Sequence, residues 1–522
     1  MPTPNASDNR GQLPIIQQSG GSSGNKPKAK KSGRGKTRAA VLIFIHVVIL
    51  LHISHYLTAG RTVSPIEPSE AMYTLNFGHL NAGAIFFGLA ILSTAIFGRF
   101  FCGWGCHIVA LQDLCSHVLR RIGLRPKPLR SRLLALVPFG AAFYMFFWPT
   151  LNRLMNEKPH PGFTNHLMTD NFWQTFPGPV IAVLTFVVCG GVIVYFLGNK
   201  GFCTYACPYG AFFNVADQLA VGRIRVTDAC EHCGQCTASC TSNVMVHAEV
   251  KEFGQVVDPG CMKCMDCVSV CPNDALYFGF TDRRSGAAKT DGKANSKPAK
   301  KKPYDFSIWE ELVASVVAVV SLIAFRGVYG PGRLPLLLSI ALGVLTAYLA
   351  IQFFRIFSKR DFRIQNFRLK RDNKVTSVGR IAILAIGAWL LFGVHSSFVQ
   401  YHRYVGRTHL NRIDAQWSEL LAGQAFRDRL TDVDRANLNQ AVRSYQCSDR
   451  FGLINVAEIK LGLIFANMMK GDMEASEKYL REAYACQAEP ARKMLAEFLA
   501  SQDRQEEAEK ILLEAPPRQY VP

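Results

Sequence analysis

The sequence predicts a mainly α, polytopic membrane protein of about seven spans, with an inserted small α+β unit and a C-terminal helical-repeat unit. Three observations point there. Of 522 residues, 49% are hydrophobic and only 19% charged, a charge-poor balance that suits a membrane protein. Seven apolar runs have lengths near that of a bilayer-crossing helix. Two blocks break this pattern: a cysteine-dense stretch at 230–272 and a polar, helix-periodic stretch from about Arg407. A chain of this length is expected to divide into three or four units.

Residues 1–38 hold eight basic residues against one acid among Gly, Ser and Pro. Nothing there can bury a core, so a disordered tail is expected. Ala39–Leu57 follows as an uncleaved first span, since its leader is too long for a signal peptide. Further runs are Ala82–Gly98, Leu133–Trp148, Val180–Leu197, Leu312–Phe325, Leu334–Phe354 and Ile381–Val399. Loops 99–132, 199–308 and 355–380 carry seven, thirteen and nine basic residues. Loops 58–76, 152–178 and 326–333 carry one, two and two. This alternation places the N-terminus and the cysteine stretch inside, and the tail after Val399 outside. The net charge of +20 thus reflects membrane orientation, and no nucleic-acid partner is expected.

The cysteine stretch reads Cys230-x2-Cys233-x2-Cys236-x3-Cys240, then Cys261-x2-Cys264-x2-Cys267-x3-Cys271-Pro272. This doubled C-x2-C-x2-C-x3-C spacing is that of a two-cluster bacterial ferredoxin. Three thiolates two residues apart wrap one corner of a cubane; the fourth has turned away and reaches the other cluster. The spacing therefore assigns Cys230, Cys233, Cys236 and Cys271 to one [4Fe–4S] cluster. Cys240, Cys261, Cys264 and Cys267 fall to the second. Zinc usually takes two separated pairs of ligands and does not call for this interlocked register. Disulfides are disfavoured on the cytoplasmic side. Thr241 stands where proline would follow the first motif.

A second constellation follows the even-numbered spans. Phe101-Cys102-x3-Cys106-His107 and Phe202-Cys203-x3-Cys207-Pro208 superpose at an offset of 101 residues. Each is preceded by a span, so the helix and its motif are duplicated together. A two-fold-like arrangement would gather Cys102, Cys106, Cys203 and Cys207 into one redox or metal site. The readings open at this point are a third iron–sulfur centre, a thiol–disulfide relay, a copper site and plain packing. Cys115 and Cys189 read as buried small hydrophobes.

Residues 281–304 form a basic linker, with eight basic residues and two acids at 281–303. The linker could also lie on anionic lipid. It joins the unit at 221–280 to a second membrane unit at 305–406; the first membrane unit is 39–220. In the exterior unit at 407–522 a weak repeat appears at an offset of 33. Leu461, Phe465, Ala475, Tyr479 and Leu480 match Met494, Phe498, Ala508, Leu512 and Leu513. Gly471-Asp472 marks a turn between paired helices, and the pattern resembles tetratricopeptide repeats, with 411–450 as a divergent first member. The alternative is a generic small helical domain. Cys447 and Cys486 could pair there as a disulfide. His46, His52, His55, His79, His395 and His402 lie in or near spans. Haem b ligation by such histidines is weighed against simple wetting at the outer ends, which is favoured. No C-x-x-C-H supports attached c-type haem.

Together, the spans, the two C-x3-C motifs and the doubled ferredoxin motif over roughly 39–280 resemble the family of membrane-bound polyferredoxins that includes NapH, NosR and the CcoG (RdxA/FixG-type) proteins. His107 stands where that family has proline. The resemblance implies a multi-pass protein of a bacterial cytoplasmic membrane. It implies an electron-transfer component using a quinone or cytoplasmic donor and a periplasmic or membrane redox partner. The helical tail, which is not the usual ending of that family, is expected to dock the partner through its stacked hairpins. The other functions weighed are a maturation factor such as a copper reductase, and a redox-sensing scaffold.

Overall fold

The computed structural model describes residues 30, 33–124, 126–157, 159, 161–175, 178–280, 304–328, 335–421, 424–453, 456–485 and 489–513. The linker at 281–303, most of the N-terminal tail and Cys486 lie outside the described residues.

The architecture is mainly helical. Among the described residues, six helices are long and apolar enough to cross a membrane: Arg34–Ala59, Leu134–Met155, Pro179–Leu197, Ile308–Arg326, Leu336–Ser358 and Ser377–Leu410. The seventh expected span, Ala82–Phe97, has 16 residues, a rise of roughly 24 Å at 1.5 Å per residue. It is short because Asn81 caps one end through the Ala84 N–H and Gly98 breaks the other with a positive φ. It nevertheless runs between the two ends of the bundle. At its start, His79–Leu80 pairs in parallel with Thr164–Asn165; at its end, the Arg99 N–H meets Asp217. The first helix starts four residues earlier than the predicted tail boundary, at Arg34, because Arg38 is held by acids at the bundle end rather than by water.

The ends of the helices sort into two sets. At one end, Arg38 pairs with Asp113 and Asp266, and Glu311 accepts from Ser131, Arg132 and Leu133. Arg355 makes a forked pair with Glu310. The cysteine-rich unit sits at this end. At the other end, Thr62–Val63 pairs antiparallel with Met168–Thr169, and Arg153 donates to the Asn76 carbonyl. The helical tail sits at that end, carried out by Ser377–Leu410. The central apolar core joins Ile193, Leu197 and Phe202 to Leu338, Val344 and Ile351. Leu336–Ser358 is the most enclosed of the spans.

The cysteine-rich unit is closed by Gly222–Val226 and Leu276–Phe280, an antiparallel pair running from Gly222↔Phe280 to Val226↔Leu276. Ile224, Val246, Val250, Val256 and Leu276 fill its core. It is fastened to the membrane unit through buried groups. The Lys263 ammonium and the Asp217 carboxylate meet at 2.9 Å with neither side chain exposed. Gly98 makes room for them: a Cβ there would lie 2.4 Å from the Lys263 Cε. A Cβ on Gly103 would lie 2.2 Å from the Met262 carbonyl oxygen, so only glycine permits this approach. The Trp104 indole donates to the Lys263 carbonyl at 3.0 Å.

In the tail, Ala457–Lys470 and Met473–Ala485 form one hairpin, turned at Gly471 in the left-handed region. Glu489–Ser501 and Gln505–Leu513 form the next. Of the repeat positions, Leu480, Phe498 and Ala508 are buried in the tail core. The first unit differs from the expected hairpin within 411–450. Asp432–Phe451 packs instead against the C-terminal end of the last span, where Gly406 admits the Tyr445 ring and Ser448 donates to the Val399 carbonyl. The span itself supplies the missing partner helix, so no boundary falls at 407.

Lys263→Met is expected to cost about 3 kcal/mol, because it leaves the buried Asp217 carboxylate with only the longer 3.9 Å pair to Arg223. Thermal unfolding of the full chain in detergent should show the loss, and Gly103→Ala should loosen the same junction. Proteolytic release of the cysteine-rich unit in either variant would report the detachment; unchanged melting in both would contradict the fastening.

Candidate iron–sulfur sites

The two cysteine motifs are folded alike because one backbone pattern is used twice at an offset of 31 residues. His232 and Lys263 have φ of 52° and 50°, Gly234 and Met265 have 79° and 64°, and Asn243 and Asp274 have 62° and 51°. Left-handed residues inside such loops turn successive N–H groups inward, making a concavity suited to a negative group. Five of these six positions hold non-glycine residues in the left-handed region, a cost that site geometry commonly carries.

The structure brings the expected cysteines together in the interlocked order. One hollow is lined by Cys230, Cys233, Cys236 and Cys271, with Gly234 and His247 beside them. A second is lined by Cys240, Cys261, Cys264 and Cys267, with Met262 and Lys263. Cys267 lies within electrostatic reach of Cys236 as well as of its own group, so the hollows adjoin. Burial holds the thiols in their neutral form: Cys236 is pushed up to about 11 and Cys264 to about 12. Burial likewise raises Cys240 and Cys267, with neighbouring thiols adding to the effect. Only binding to a metal centre would make such groups thiolates at neutral pH. Arg38 stands beside Cys264.

Cys102, Cys106, Cys203 and Cys207 also form one group. Cys102 and Cys203 belong to one buried cluster with Met262. Cys106 and Cys207 each lie within electrostatic reach of Cys102 and Cys203. The paired spans position them. Two of the spans, Leu134–Met155 and Pro179–Leu197, each contain a π-helical turn, Phe143–Phe147 and Val187–Val192. In the second, Gly190 lets the Leu111 side chain in, seating the helix His107–Arg121 that follows Cys106. From that helix the fully buried Gln112 donates to the Cys203 sulfur at 3.0 Å. Arg99 lies within electrostatic reach of Cys102, Cys203 and Cys207. The sequence reading missed Arg99, Gln112 and Lys200. The offset of 101 that relates Arg99 to Lys200 was the available signal.

The copper and haem options find no support. Among the described residues, no three His, Cys, Asp or Glu side chains converge closely enough for a single metal ion. The eight ferredoxin-type thiols stand around two hollows instead, as a multi-iron core requires. The membrane histidines have other partners: His46 with the Leu42 carbonyl, His52 with the Val63 carbonyl and His55 with Thr62. His79 stacks on His166, His395 meets the Phe451 carbonyl, and His402 lies against Phe398. Cys115 is half-buried and Cys189 buried, both as free thiols.

Comparison with known families agrees with this layout. A 4Fe-4S dicluster domain matches residues 229–276. A 4Fe-4S binding domain matches twice, at 82–125 and 180–227. The chain is similar to the ferredoxin-type protein NapH of Escherichia coli K12, 28% identical over 243 residues, which is 44% of this chain and 79% of the relative. It is similar to the putative electron transport protein YccM of the same organism, 25% identical over 258 residues, 45% of this chain and 70% of the relative. It also resembles the methylamine utilization ferredoxin-type protein MauN of Methylobacillus flagellatus, 26% identical over 181 residues, 33% of this chain and 60% of the relative. No solved structure matches. The chain is thus a membrane protein that carries iron–sulfur clusters.

Cys271→Ser is expected to damage the centre in the hollow of Cys230, Cys233 and Cys236 while sparing the other. Cys240→Ser should do the reverse. Low-temperature electron paramagnetic resonance of each variant checks the interlock; damage confined to the motif that contains the substituted residue would contradict it.

Proposed function

We propose that this chain, a NapH-like ferredoxin-type membrane protein with an iron–sulfur electron-transfer role, conducts single electrons through three centres between the cytoplasmic face and a partner on the exterior. Cys230, Cys233, Cys236 and Cys271 hold the first [4Fe–4S] cluster. Cys240, Cys261, Cys264 and Cys267 hold the second. Cys102, Cys106, Cys203 and Cys207 hold the third, within the membrane unit. When bound, such clusters supply reversible one-electron chemistry at potentials tuned by burial and hydrogen bonds.

The observation that carries this reading is the contact between the two constellations. Met262 lies between Cys261 and Cys264 in sequence and belongs to the same buried cluster as Cys102 and Cys203. Lys263, in the same loop, is locked to Asp217 at 2.9 Å. The second cluster's loop is therefore held against the quartet, and no water-filled gap needs to be bridged. The duplicated 4Fe-4S binding match over both C-x3-C segments supports an iron–sulfur quartet over thiol relay or packing. The donor class is a quinol or a reduced cytoplasmic carrier. The tail, at the far end of the bundle, docks the exterior redox partner through its stacked, tetratricopeptide-like hairpins.

Two measurements test this. The full chain purified without oxygen should hold about twelve iron and twelve sulfide, from three four-iron clusters; about eight of each would remove the third centre. Cys102→Ser and Cys203→Ser should abolish the same signal. For orientation, a reporter active only outside should work when fused after Gly406 and fail after Gly279. The same outcome at both positions would contradict the proposed sides.

A further inference from the structure

The duplication has a swapped set of polar contacts. The offset of 101 relates Arg99 to Lys200 and Asp113 to Asn214. The Lys200 ammonium, from the second half, pairs with Asp113 of the first. The Arg99 guanidinium, from the first half, donates to Asn214 of the second at 2.7 Å. The two contacts correspond, but one ends on a carboxylate and the other on a neutral amide. Lys200, Asp113, Arg38 and Asp266 form a balanced chain of two cations and two acids. Arg99 has no such balance.

Arg99 is only 3% exposed. Its second acceptor, the Pro259 carbonyl at 3.2 Å, is also neutral. The nearby Asp217 accepts from the Arg99 backbone N–H and makes its ion pairs with Lys263 and Arg223. Among the described residues, no carboxylate forms an ion pair with the Arg99 guanidinium, and its Nε finds no acceptor. A buried cation without a counter-charge is costly. This guanidinium stands among the cysteines: a Cβ on Gly210 would lie 3.2 Å from the Cys203 carbonyl oxygen, 3.6 Å from the Arg99 Nη2 and 3.8 Å from the Cys207 Cβ, and Cys102 is within electrostatic reach as well. Neutral thiols would leave the charge uncompensated, whereas thiolates holding an iron–sulfur core would compensate it.

We propose that Arg99 is the counter-ion of the four-cysteine centre and the residue that sets its potential, a role left to it because position 214 is asparagine. The inference rests on the reading that this quartet holds a cluster. A core bound by four thiolates is net negative, and one-electron reduction adds one more negative charge. A fixed cation beside it, in surroundings that screen poorly, favours the reduced form. Arg99 is thus a positioning residue for charge, acting on the centre and not on a substrate.

The test is a redox titration of the full chain in lipid nanodiscs, read by electron paramagnetic resonance. Asn214→Asp supplies the missing acid. At a fixed potential, the reduced-to-oxidised ratio of the third centre should fall about tenfold, or about 59 mV for one electron; the other two centres should not move. Arg99→Gln should shift it in the same direction, or lose that centre's iron alone, while Arg99→Lys keeps the iron and most of the potential. An unmoved third centre in Asn214→Asp and Arg99→Gln overturns the proposal, as does equal loss in Arg99→Gln and Arg99→Lys. A wild-type chain with about eight iron overturns the three-centre reading together with this one. A chain with the third centre present but indifferent to these changes overturns this inference alone.

Discussion

The ion pair between Lys263 and Asp217 is the constraint on which the rest of the molecule depends. Both side chains are wholly buried, so removing Asp217 would leave a stranded ammonium, and removing Lys263 would leave the carboxylate only a 3.9 Å pair with Arg223. Lys263 belongs to the second cysteine loop; Asp217 belongs to the helix Tyr209–Leu219 that follows Cys207. Asp217 also takes the Arg99 N–H, next to the other C-x3-C segment. One carboxylate thus gathers three chain segments that carry cysteines. Glycines at 98 and 103 admit this approach. The soluble-looking unit is consequently not a tethered appendage but part of the wall of the membrane unit.

Two duplications underlie the arrangement, and both are readable as sequence offsets. The offset of 31 repeats a loop, down to the left-handed residues His232 and Lys263. The offset of 101 repeats a span with its C-x3-C segment. A doubled loop produces two adjoining hollows, and a doubled span produces one shared group of four thiols. The first is a local consequence of spacing. The second depends on how two spans pack, which the apolar face of a membrane helix encodes weakly because every position is hydrophobic.

That difference marks what the sequence could and could not reveal. Cysteine spacing was enough to foresee which thiols line each hollow, since the grouping follows from short loops whose fourth cysteine has turned away. Apolar runs revealed the spans, although Ala82–Phe97 proved shorter than the rest. The partner of Asp432–Phe451 was not legible, because the helix that covers it is the polar C-terminal end of a span, Val399 to Leu410. Nor did hydropathy flag Arg99 or Gln112. Their meaning lies in what stands opposite them: a neutral Asn214 in one case and the Cys203 sulfur in the other. The histidines drew attention as polar residues in apolar runs, yet each has an ordinary partner: a backbone carbonyl for His46, His52 and His395, the Thr62 hydroxyl for His55, and a neighbouring ring for His79 and His402.

The central claim is that the third centre and the second cluster are electronic neighbours across the Met262–Lys263 junction. Magnetic coupling tests it most directly. In the fully reduced full chain, the resonance spectrum should be broadened and split beyond the sum of isolated centres, and the extra splitting should vanish in Cys203→Ser while the ferredoxin-type signals persist. A fully reduced spectrum that is a plain sum of independent centres, unchanged by Cys203→Ser, would contradict the account.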